Sequence, residues 1–135
     1  MLVANGVGFL ATMLFGPGMI AGLGLWPLGT EALSAQYVGG VPGFQIWQLV
    51  TYGFLHGGLL HLFVNMFALW MFGTSLERFW GSRPFLGFYL VCLVGAGLIQ
   101  LVVATLAADS GNLYPTIGAS GAVFGILLCF AMMFP

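Results

Sequence analysis

Three uncharged polar residues in this chain are of the types that acyl transfer uses. Ser120 stands in Gly118-Ala119-Ser120-Gly121 and opens an uncharged run that continues to Phe134. His61 and Asn65 lie four residues apart in another apolar run, so they share one face of a helix. Polar side chains at membrane depth are costly and mark either function or polar packing. A serine attacking an amide carbonyl needs a base for its proton and donors for the oxyanion that forms. A helix N-terminus offers free backbone N–H groups and a positive dipole end. Ser120 placed there could attack while its own N–H holds the developing charge. Asn65 can donate through its amide, and a neutral His61 through one ring nitrogen. Gly118 and Gly121 read as positions where backbone and substrate approach closely.

The same residues also have plainer readings. Serine is a favoured N-cap, and Ser120 fits that role without chemistry. Gly121 and Gly125 have the spacing that packs membrane helices tightly. His61 and Asn65 fit interhelical hydrogen bonding. His56, beside Gly57-Gly58, reads as structural, and Asp109 as a solvated loop acid. His56 and His61 are five apart with no HExxH and no adjacent carboxylate, so neither a metal nor a cofactor is expected. Cys92 and Cys129 lie in apolar runs and read as small hydrophobes.

The elements that must position these residues follow from composition. The chain is 61% hydrophobic and 4% charged, with a mean hydropathy of +1.10. Soluble domains carry roughly 25% charged residues, so this is an integral membrane protein in contact with the lipid bilayer. Two arginines, no lysine and a net charge of −1 give no basic patch, which excludes nucleic acid as a partner. A span takes roughly 20 residues, so 135 residues hold about four. The spans are expected near residues 7–26, 54–76, 85–107 and 118–134. The first is broken by Gly16-Pro17-Gly18, and no Lys or Arg precedes Arg78 to form the positive region of a signal peptide.

The connections differ in kind. Residues 27–46 form a long Gly- and Pro-rich loop carrying Glu31, of a length that tends to be functional. Trp47, Leu49, Val50, Tyr52 and Phe54 then read as a segment at the membrane interface. Residues 77–84 are a short turn holding Arg78 and Arg83, and residues 108–116 are polar and turn-forming. Short cytoplasmic loops are enriched in basic residues, so the arginine turn is expected to be cytoplasmic. Ser120 then opens span four at the outer side. His61 falls about seven residues, roughly 10 Å, into span two from the same side.

Three stretches, taken in order, resemble one family. They are His56-Gly57-Gly58-Leu59-Leu60-His61-Leu62-Phe63-Val64-Asn65, then Gly73-Thr74-Ser75-Leu76-Glu77-Arg78-Phe79-Trp80-Gly81-Ser82, then Gly118-Ala119-Ser120-Gly121. Together they are similar to the bacterial rhomboids, intramembrane serine proteases, from about Trp47 to the last residue. The resemblance implies an all-α polytopic transmembrane bundle with about four of an expected six spans. It also implies a multi-pass place in the plasma (inner) membrane, and hydrolysis of peptide bonds in or near the transmembrane helices of membrane-protein substrates. It makes Ser120 the nucleophile, puts His61 and Asn65 at the oxyanion site, and leaves His56 structural. Gln48 follows Trp47 where the family often has Arg, and Phe124 matches a position where an aromatic ring often packs beside the catalytic histidine.

One departure is large. The family's base is a histidine on the sixth helix, and the last apolar run here is the fourth. The resemblance therefore implies an N-terminal portion that does not hydrolyse peptides by itself. The alternative is a catalytically inactive rhomboid-like protein that binds client membrane helices.

Overall fold

A computed structural model describes residues 1–30, 43–108 and 113–135. Glu31, Asp109 and the polar residues 110–112 lie outside the described residues, with the roles expected for them. The described residues form helices and turns with one isolated antiparallel bridge, Leu25 to Thr116. The fold is an all-α membrane bundle.

The first apolar run folds as two helices. α1 (Leu2–Phe15) begins five residues before the expected start and stops at Gly16, whose φ of +69° suits glycine alone. Pro17 then starts α2 (Pro17–Leu23), using the preset φ that favours proline at a first helical position. Gly8 brings α1 onto the segment before span two, since a Cβ there would run into the Phe54 carbonyl.

The segment expected at the interface also packs inward. α3 (Gln48–Thr51) runs into a 3-10 turn (Tyr52–Phe54) that buries Leu49, Tyr52 and Leu55. The Tyr52 hydroxyl donates to the Leu93 carbonyl at 2.8 Å, which ties this turn to span three.

Span two is one continuous helical stretch, Leu59–Trp80. It consists of α4 (Leu59–Ala68), a π turn (Leu69–Gly73) and α5 (Thr74–Trp80). A π turn holds one extra residue, so the helix beyond it is rotated by roughly 100° from an uninterrupted α-helix. The Thr74 hydroxyl donates to the Trp70 carbonyl inside this irregular stretch. At the arginine turn the Ser82 hydroxyl donates to Glu77 Oε1 at 2.7 Å.

α6 (Ser82–Ala108) is span three and α7 (Ser120–Met133) is the fourth apolar helix. Span two and α6 are long and apolar enough to cross a membrane, while α1 and α7 have 14 residues each. At 1.5 Å per residue that is about 21 Å, against roughly 30 Å of hydrocarbon. α6 and α7 meet through small residues. A Cβ on Gly121 would collide with Ala96, and one on Gly125 would lie 2.5 Å from Cys92 Sγ. Of the two readings of Gly121, substrate approach and helix packing, the structure favours packing against α6, as the four-residue glycine spacing allows.

Candidate active site

Ser120 and His61 each open a helix, and the two helices start at the same end of the bundle. Ser120 is the first residue of α7 and His61 the third of α4. The depth expected for His61, seven residues into its span, is therefore corrected. Gly58 is extended at φ 175°, ψ 166°, and interrupts the helical path, so the membrane helix starts at Leu59 rather than near Phe54.

The N-cap of α7 is Ala119, with no side-chain capping bond, so Ser120 is not the cap its residue type suggested. Its hydroxyl makes no hydrogen bond among the described residues. Val123 N–H is the first to bond back along α7, to the Ala119 carbonyl at 3.0 Å. The N–H groups of Ser120, Gly121 and Ala122 thus precede the intrahelical ladder.

Gly118 holds the two residues together. Its φ of +121° is open to glycine and strained for any other residue. A Cβ there would lie 2.8 Å from His61 Cε1 and Nε2 and 3.9 Å from Ser120 Oγ. The missing side chain therefore lets the imidazole close onto the Gly118 backbone beside the serine hydroxyl. Gly118 N–H is engaged elsewhere, donating to the Tyr52 carbonyl at 2.9 Å.

Asn65 joins the same face. Its Nδ2 donates to the His61 carbonyl at 2.9 Å, one helical turn back. A carboxamide nitrogen carries two hydrogens, so one donor remains. His61, Asn65 and Ser120 line a groove of about 390 Å³ between α4 and α7, completed by Val64, Ala68, Val123, Phe124 and Leu127. Phe124 is 71% exposed at its rim. The groove is apolar apart from the three polar residues.

His56 stays out of the groove. It is 1% exposed, and its ring meets the His61 ring edge-on at 4.9 Å.

Residue types alone did not point to Gln48 or Tyr52. Gln48 is fully buried, and its Oε1 accepts from Trp26 N–H at 3.3 Å and Gln45 N–H at 3.2 Å. A single carbonyl oxygen thus fastens the first loop where the family often has arginine. The signal available in the sequence was a lone carboxamide among Trp47, Leu49 and Val50.

Residues 43–135 match the Rhomboid domain family. The chain belongs to the rhomboid family. Over 87 residues it is 39% identical to Rhomboid protein 1, mitochondrial, of Saccharomyces cerevisiae, covering 64% of this chain and 25% of that protein. It is 41% identical over 81 residues to Rhomboid protease GluP of Bacillus subtilis, covering 60% of this chain and 14% of the relative. Rhomboid-like protease 3 of Toxoplasma gondii is 32% identical over 95 residues, 70% of this chain and 34% of its own length. The chain thus spans about a third or less of each of these relatives. Rhomboids are membrane proteins whose family includes serine proteases, and the fold here is of that type.

Proposed function

We propose that this chain carries the nucleophile and the oxyanion donors of an intramembrane serine endopeptidase. Ser120 Oγ attacks a peptide carbonyl in or near a substrate's transmembrane helix. The oxyanion lies in the groove between α4 and α7 and takes hydrogen bonds from Ser120 N–H, His61 Nε2 and the second hydrogen of Asn65 Nδ2. The observation that carries this reading is that His61, Asn65 and Ser120 line one groove between two membrane helices, with Gly118 letting the imidazole close in beside the serine. Preset donors aimed at developing charge are often the largest single contribution to such catalysis.

The Ser120 proton needs an acceptor. His61 is assigned as a donor, and both His56 nitrogens are buried. The base is assigned to a histidine outside these 135 residues, as the family resemblance implies. We place the protein as a multi-pass protein of the plasma (inner) membrane, with the Arg78–Arg83 turn on the cytoplasmic side.

A serine-reactive fluorophosphonate probe and a model transmembrane substrate test this reading in liposomes. The full product of the gene should label at Ser120 and cleave. Ser120→Ala should do neither while melting at the same temperature, and residues 1–135 alone should neither label nor cleave. General-base help is worth about 10² to 10⁴-fold, so the contrast is large. A full product that binds membrane helices without labelling would instead support an inactive client-binding protein.

A further inference from the structure

Ser120 and His61 belong to different helices, so something must fix the loop that delivers Ser120. Thr116 carries most of that load. Its N–H donates to the Leu25 carbonyl at 2.9 Å, and its carbonyl accepts from Leu25 N–H at 3.0 Å. Its hydroxyl accepts a third bond, from Gln100 Nε2 at 3.2 Å. Two residues on, Gly118 N–H is held by the Tyr52 carbonyl. The segment that holds Thr116 is itself fastened. Leu25 is buried, the next residue bonds to Gln48 Oε1, and Leu28 N–H donates to Thr105 Oγ1 at 3.0 Å.

Gln100 is the more telling partner. It is the one carboxamide in the apolar helix α6, where an unpaired amide is costly. Its partner is a side chain on the nucleophile loop rather than a neighbouring helix. A valine at 116 has nearly the shape of threonine but would leave the Gln100 donor without its acceptor.

We infer that Gln100 and Thr116 are positioning residues, a clasp from span three through the loop that sets Ser120 against His61. This deepens the protease reading and rests on it for its catalytic consequence. A clasp of this kind holds reacting atoms in register, and a displacement of about 1 Å can cost about 10²-fold in rate. Neither residue touches the substrate, so losing the clasp should lower kcat and spare KM.

The test uses the full product of the gene in liposomes with a model transmembrane substrate. T116V and Q100L should each lower kcat by about 10- to 100-fold, with KM within about twofold. The double variant should be no worse than the worse single one, because both remove one bond. T116S, which keeps the acceptor oxygen, should retain the wild-type kcat. Fluorophosphonate labelling of Ser120 should slow in the same order. A kcat within twofold of wild type in both single variants would overturn the clasp. So would losses that track thermal midpoint and appear equally in T116S.

A wild-type protein that neither labels nor cleaves would instead count against the protease reading, and the clasp would then be judged by amide hydrogen exchange over residues 116–121. Faster exchange in T116V and Q100L but not in T116S would support it. Unchanged exchange in all three would overturn it.

Discussion

Helix α7 meets its two neighbours in opposite ways. Toward α6 it is closed, with Gly121 against Ala96 and Gly125 against Cys92, so backbones approach as nearly as small residues allow. Toward α4 it stands back across a groove of about 390 Å³ lined by His61, Asn65 and Ser120. Both faces belong to one helix of 14 residues. The closed seam fixes the backbone that carries Ser120, and the open side leaves its hydroxyl within reach of a chain arriving between helices. Rigidity and access are thus divided by face rather than by segment. Changes on the open face should cost turnover, and changes on the closed face should cost stability.

The largest effect is expected on the open face. Asn65→Ala, in the full product of the gene, should raise the barrier by about 2.7–4 kcal/mol, the cost of losing one oxyanion donor. Steady-state kinetics in liposomes should show the loss mainly in kcat, with thermal midpoint nearly unchanged. Wild-type turnover in this variant would remove Asn65 from the chemistry.

A smaller effect, of the other kind, is expected at the seam. Gly125→Val pushes two methyl groups toward Cys92, and overpacking of this sort costs about 1–3 kcal/mol. Thermal unfolding in detergent should show a lowered midpoint, less so for Gly125→Ala. An unshifted midpoint would mean that the seam is not tightly packed.

The smallest effect belongs to the rim. Phe124 is 71% exposed, so Phe124→Ala should change stability by no more than about 0.5 kcal/mol. Its KM for a transmembrane substrate should rise, since the ring flanks the way into the groove. An unchanged KM would move the substrate's path elsewhere.

Much of this arrangement could be read from residue types. Ser120, His61 and Asn65 stood out because polar groups are rare in apolar runs, and the structure gathers all three along one groove. The depth of His61 was misjudged because Phe54 and Leu55 read as the start of the apolar span, while the backbone leaves the helical path before Leu59. Gly121 carried two readings, substrate approach and helix packing, because spacing shows that a glycine is needed without showing which neighbour needs it; the structure sets it against Ala96. The bridge between Leu25 and Thr116 left no mark at all. It is made by backbone groups about ninety residues apart, and every residue but proline carries the same pair. Gln48 was noticed only as a departure from arginine, yet burial turns its one oxygen into a double acceptor.

The π turn in span two has a consequence for the membrane itself. Above it, the helix shows His61 and Asn65 to the groove. Within it, Phe72 packs against Phe130 of α7, ring centroids 5.0 Å apart and edge to face. That pair lies one turn beyond Ala68 and Leu127, the deepest residues of the groove. The groove therefore ends on a pair of packed aromatic rings, and apolar constrictions of this sort exclude water and ions. On the proposed protease reading, water reaches Ser120 from one side of the bundle and finds no path through this aromatic floor to the other.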